Sequence, residues 1–294
     1  MRDFRDKLDI MHRLAKTAHV TPFEDFLAFL DGKMQTPTLY GWFHLLCLVA
    51  VVVLCVLIFL KAKNMKDKTF NLILGITAGV LIFLEIYKQF NYSYDPADDS
   101  WGYQWYAFPF QFCSTPMYVM LAAALCRNGK VKTCICSFLA TYGFFAGAAV
   151  MFYPGDVFIT TIGINIQTMI HHGMMVVIGV LMYVTGRAKL SHKTILYALP
   201  VFALLIALAL VSNVLYHYFG DPEQTFNMFY ISPYYPCTLP ILNMIYPVVP
   251  YPVFLLLYLF GFTAAGYVMS LLAMGAHAIF KKVHPTIISK EKQY

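Results

Sequence analysis

Seven apolar runs divide this chain, each close to the roughly 20 residues that carry a helix across a bilayer core of about 30 Å. They fall at about 39–61, 69–90, 106–126, 132–152, 163–185, 195–218 and 249–279. The pattern predicts an all-α polytopic membrane protein with seven transmembrane helices in a domain over 39–279. Upstream the pattern changes. Phe4, Leu8, Met11 and Ala15 recur at helical spacing, so residues 3–18 read as a short amphipathic helix. Thr21-Pro22-Phe23-Glu24 reads as a capping box with proline in the first turn, opening a helix that runs to about Gly32. Residues 1–38 are therefore expected to lie as amphipathic helices on the membrane surface; a solvated tail is the competing reading. These residues lack the continuous apolar core of a cleavable signal, so the first span is expected to be its own insertion signal.

The polar connections give the orientation. Lys61, Lys63, Lys66 and Lys68 follow the first span, and Arg127, Lys130 and Lys132 follow the third. Arg187, Lys189 and Lys193 follow the fifth, and Lys281, Lys282, Lys290 and Lys292 follow the seventh. The connections 91–105, 153–162 and 219–248 hold no Lys or Arg, but do hold Asp95, Asp98, Asp99, Asp156, Asp221 and Glu223. By the positive-inside rule the N-terminus is outside and the C-terminus is cytoplasmic, with 280–294 a basic cytoplasmic tail. The segment 1–38 carries six Lys/Arg and six Asp/Glu and adds nothing to the balance. Connection 219–248 is rich in aromatic residues and proline, which excludes a regular helix and predicts a cap folded onto the outer face.

Composition narrows the class. Of 294 residues, 60% are hydrophobic and 12% charged, against about 25% charged in soluble domains. A multi-pass protein of the cell membrane is expected. The net charge of +6 does not signal nucleic acid, because the basic residues sit in the connections. Seven cysteines, mostly inside apolar runs, do not form a disulfide framework. No HExxH, GxSxG or P-loop occurs, so zinc proteolysis, serine-elbow hydrolysis and nucleotide hydrolysis lack support, and no cofactor or metal is expected.

Polar groups inside spans are costly and point to function. His44, Glu85, Cys113, the pair His171-His172 and Asn213 lie in five different spans, all roughly 7–14 Å below the outer boundary at the helical rise. That shared layer is the sequence's main sign of a site. Each member also has a plain reading. A lone Cys in an apolar run is usually inert packing, since burial opposes the thiolate. Here Gln111, Ser114 and Thr115 flank Cys113, and a histidine lies at matching depth. Imidazole can take a thiol proton so that sulfur attacks a carbonyl. Adjacent helical residues diverge by about 100°, so His171 and His172 cannot both face the same way. Glu85 either pairs with Lys88 one turn on or orients a histidine. Asn213 either donates to an oxyanion or bridges helices.

The chain resembles a known family. Pro109-x-x-x-Cys113 opening the third span, a histidine in the fifth, and Asn227-Met228 before the last are similar to YwaF-type bacterial membrane proteins, grouped with the transmembrane-protein-164 acyltransferases. The resemblance covers most of 39–279. It implies an intramembrane Cys–His acyltransferase that moves a fatty acyl chain between phospholipid and lysophospholipid through a thioester. Carried over, Cys113 is the nucleophile and His172 the base, with His171, Glu85, Gln111, His44, Asn213 and Asn227 as candidate site lining. In two places the chain departs from the family: Gln111-Phe112-Cys113 stands where His-Leu-Cys is more usual, and the histidine is doubled. A lipid-ester hydrolase using the same residues, and a non-enzymatic lipid-binding or transport protein, are the rival readings.

Overall fold

The computed structural model describes residues 29–95, 100–155 and 157–283. The expected helix over 3–18, most of the one ending near Gly32, and most of the basic tail lie outside these residues. The helices stand where hydropathy predicts them: α1 Trp42–Lys61, α2 Asp67–Ser93, α3 Thr115–Leu125, α4 Lys130–Phe152, α5 Ile162–Val184, α6 Thr194–Phe219 and α7 Tyr251–Val283. Among the described residues, six are long and apolar enough to cross a membrane, and α3 is the shorter one.

That short helix corrects the reading of 106–126 as one continuous span. Proline restricts the residue before it to extended conformations, and Phe108, before Pro109, has φ −47° and ψ 135°. Residues 108–114 are therefore irregular, and regular helix begins only at Thr115. Pro116 sits in the first turn of α3, where its missing N–H costs nothing. Irregular backbone at this depth is tolerated only where protein or a cavity covers it, and here the 219–248 connection supplies the cover.

The connections sort to the two ends as their charges require. At the basic end, Arg187 pairs with Asp67, and Asn128 Nδ2 donates to Asp67 Oδ2 at 2.6 Å. Lys132 Nζ donates to Asn71 Oδ1 at 2.6 Å and to the Cys126 carbonyl at 3.2 Å. Lys132 and Arg187 both lie over the Phe70 ring, at 5.7 and 4.8 Å respectively. This network ties α2, α4 and the connection after α5 together. At the other end, Met34 N–H donates to Thr160 O, and Ile162 N–H to Gly32 O. Tyr87 and Asn91 of α2 donate to Asp31.

Helix α5 is the axis of the bundle. In its most apolar window 72% of residues are buried, against 6% in α1, which packs mainly along α5 and otherwise faces outward. The α4 backbone widens into a π turn at Leu139–Gly143, all five residues buried, which packs against α3, α5, α6 and α7. Such turns are frequent at functional sites. Small residues let α4 and α5 approach closely, as is usual in membranes. A Cβ on Gly147 would lie 2.6 Å from the His172 carbonyl oxygen and 2.7 Å from Met175 Cβ. Gly147→Ala must therefore push α4 off α5 at the histidines, at a cost of about 1–3 kcal/mol. A lowered thermal midpoint in detergent is the expected result.

Candidate active site

Cys113 lies in the turn that feeds α3, one residue before the N-cap Ser114. The turn is closed by its own backbone: Ser114 and Thr115 N–H both donate to the Gln111 carbonyl, at 2.9 and 3.1 Å. Thr115 Oγ1 donates to Phe112 O at 3.0 Å. The amino end of a helix carries partial positive charge, the polarity that a thiolate or an oxyanion beside it requires. Helix α3 itself, eleven residues, is about 16 Å long at the helical rise, about half of a 30 Å core.

His171 of α5 meets this turn, and the ring of the next residue, His172, lies 5.3 Å from its own, centroid to centroid. His171 Nε2 lies 2.9 Å from the Cys113 carbonyl oxygen. A carbonyl can only accept, so this nitrogen carries the proton and Nδ1 keeps a lone pair. His172 is arranged the other way round: Nδ1 lies 2.8 Å from the Thr168 carbonyl, so Nδ1 carries the proton and Nε2 keeps the lone pair. Both lone-pair nitrogens, His171 Nδ1 and His172 Nε2, are buried without a hydrogen-bond partner. His171, not His172, thus makes the direct bond to the cysteine residue, through its backbone.

Glu85 of α2 completes the layer. Its Oε1 takes Lys88 Nζ at 2.6 Å and Gln89 Nε2 at 2.9 Å. Gln89 also donates to the Ala107 carbonyl and accepts from Tyr103 Oη, which anchors the loop leading to Cys113. Of the two sequence readings of Glu85, the pair with Lys88 is present, while Oε2 is buried without a partner. Glu85 and Lys88 are both within electrostatic reach of Cys113 and His171.

The remaining candidates hold other structures in place. Gln111 Nε2 donates to the Asn227 carbonyl at 3.1 Å, and its Oε1 accepts from Phe229 N–H at 2.9 Å. Asn213 spans Met228 in the same way, with Nδ2 on its carbonyl and Oδ1 on its N–H, so it bridges a helix to the cap. Asn227 braces the cap from within, to Pro236 O and Ser232 N–H. Three amide side chains thereby fix a segment in which Phe229 and Tyr230 adopt positive φ, at 59° and 56°. Strain of this kind persists only where the surroundings over-determine it. The cap they fix covers the irregular turn: Phe229 packs on Phe110 and Phe112. His44 lies elsewhere, between Tyr40 N–H and the Met151 carbonyl, with both nitrogens engaged. Among the described residues no three His, Cys, Asp or Glu side chains gather as a metal would need, and all seven cysteines are free thiols.

No curated protein and no solved structure matches the chain. A sequence model of the TMEM164 family matches residues 39–273. The chain belongs to the TMEM164 family. The match spans all of α1 to α6 and most of α7, including the Cys113 turn, both histidines and the cap.

Two features of this TMEM164-family protein escaped the sequence reading. The first is the network at the basic end, whose members look like ordinary boundary residues. The second is Tyr258 of α7, fully buried, with its hydroxyl unpartnered. Its signal was a tyrosine deep in an apolar run, which reads equally well as packing. Between the outer polar layer and the basic-end network the packing of α2 on α3 is apolar. Leu74, Ala78, Leu81, Met117, Met120 and Ala123 are all within 1% of complete burial.

Proposed function

We propose that this protein is an intramembrane acyltransferase that moves a fatty acyl chain between glycerophospholipids through a thioester on Cys113. The observation that carries the reading is a pair of buried, unpartnered imidazole nitrogens on adjacent residues of α5, one of whose rings bonds to the Cys113 carbonyl, each with its tautomer fixed by a backbone carbonyl. Leaving such groups unpaired costs about 1–3 kcal/mol each, and a base awaiting a substrate proton is a reason to keep them. His172 is assigned as the base, because its Nδ1–H is held from behind and Nε2 is left bare. His171 Nδ1 is equally bare, and His171 is assigned as a positioning residue because its ring is the one tied to the Cys113 carbonyl, with the base carried over to His172 from the family pattern.

The chemistry then runs in two balanced halves. His172 Nε2 takes the Cys113 thiol proton as sulfur attacks the ester carbonyl carbon. The tetrahedral adduct collapses, the ester C–O bond breaks, and His172 returns the proton to the departing lysolipid oxygen. In the second half His172 takes the proton of a lysolipid hydroxyl. That oxygen attacks the thioester, and Cys113 leaves as the thiol. The apolar α2–α3 packing beneath the site argues against a polar transport path between those two helices.

Products test this reading. The protein in micelles receives a phospholipid labelled in its acyl chain together with an unlabelled lysophospholipid bearing a different headgroup. Label is expected in a new phospholipid carrying the acceptor's headgroup. Label in free fatty acid alone would make the protein a hydrolase, and label remaining wholly in the donor would reject acyl transfer.

A further inference from the structure

An oxyanion forms when sulfur adds to an ester carbonyl, and it needs a hydrogen-bond donor inside the site. We propose that Tyr258 of α7 is a catalytic residue of the Cys113 site, donating its phenolic hydrogen to that oxyanion. The proposal rests on the acyl-transfer reading and adds a residue from a helix that reading does not use.

Tyr258 is completely buried, and its hydroxyl has no hydrogen-bond partner. Its neighbours show that this is not how α7 treats tyrosines in general. Tyr142 Oη in the π turn meets Thr263 Oγ1 at 2.9 Å, and because Thr263 donates to the Leu259 carbonyl, Tyr142 must be the donor. Tyr183 Oη meets Ser270 Oγ at 2.9 Å. The same helix that supplies hydroxyl partners to both leaves its own Tyr258 unsatisfied. Phenylalanine would fill the same space without that cost, so packing alone gives no reason for the oxygen.

Ring contacts link Tyr258 to the residue before the cysteine. Tyr258 stacks on Phe262 at 4.5 Å, and Phe262 meets Phe112, the residue before Cys113, edge-on at 4.8 Å. Phe202 touches both Phe112 and Tyr258, at 5.6 and 6.5 Å. An oxyanion site needs preorganised donors with no competing partner in the resting state, inside a site that excludes water. Among the described residues Tyr258 is the buried hydroxyl donor that satisfies this condition next to the Cys113 turn.

The test compares Tyr258→Phe with Tyr142→Phe. Each variant removes one hydroxyl and keeps the ring. Purified protein is mixed with an alkyne-tagged phospholipid, and the rate of hydroxylamine-sensitive labelling is followed within a single turnover. Tyr258→Phe is expected to slow labelling by about 10²-fold, with the half-saturating lipid concentration unchanged and the thermal midpoint undiminished. Tyr142→Phe, which loses a satisfied bond, is expected to lower the midpoint and to label at the wild-type rate. Labelling of Tyr258→Phe within twofold of wild type would overturn the proposal and leave the thioester intact. A slowed rate that tracks a lowered midpoint would also overturn it, because the hydroxyl would then be structural. Wild type that takes no label would overturn the acyl-transfer reading itself, and Tyr258 would have no oxyanion to serve.

Discussion

Cys113→Ala is expected to abolish acyl transfer, by about 10³-fold or more, because the covalent route disappears with the sulfur. The fold should hardly notice. Cys113 sits in a turn closed by backbone bonds to Gln111, and its side chain is only partly buried. A thermal midpoint close to wild type with activity lost is therefore the expected pattern. Cys113→Ser keeps shape and polarity but substitutes a much weaker nucleophile for the one that forms the thioester, and it should be nearly as inactive. Substantial turnover by either variant, measured as new phospholipid formed, would remove the cysteine from the mechanism.

The second large effect separates the two histidines. His172→Gln is expected to lower the rate by about 10²–10⁴-fold, the usual share of a general base, since an amide cannot take a proton from sulfur. His171→Gln is expected to lose less than about 10-fold. Glutamine still offers an N–H to the Cys113 carbonyl, which is the bond His171 makes. His171→Leu removes that donor and should fall well below His171→Gln. Single-turnover rates for the three variants decide the assignment. If His171→Gln fails completely while His172→Gln works, the roles are reversed.

Much of this architecture was legible in the hydropathy. The fifth span was expected at 163–185 and is Ile162–Val184; the sixth was expected at 195–218 and is Thr194–Phe219. A run of apolar side chains that must satisfy its own backbone in lipid has little choice but helix. The third span shows where that logic stops. Phe108-Pro109-Phe110 is as apolar as any helix, yet Pro109 fixes the residue before it in extended geometry, and hydropathy registers composition alone.

Level along a span picked out candidates but not their direction. His44 and Asn213 were found from their level, Gln111 as a neighbour of Cys113, and all three are buried or half-buried. Level says nothing of the azimuth round each helix. Asn213 and Gln111 turn toward the cap, and His44 turns toward the Met151 carbonyl. The doubled histidine is a case where direction matters most, because one ring bonds to the Cys113 carbonyl and its neighbour to the Thr168 carbonyl. Tyr258 was invisible for a related reason. An unsatisfied hydroxyl is a property of the packed neighbourhood, and no pattern along the chain records it.

The acyl-enzyme itself is the most direct test of a thioester mechanism. Purified wild-type protein in micelles, given a phospholipid with an alkyne-tagged acyl chain, should acquire a hydroxylamine-sensitive label that maps to Cys113. The same label should be absent from Cys113→Ala. A protein that stays unlabelled across donors of different headgroup and chain length, or that carries its label on another cysteine such as Cys136, would contradict acyl transfer through Cys113.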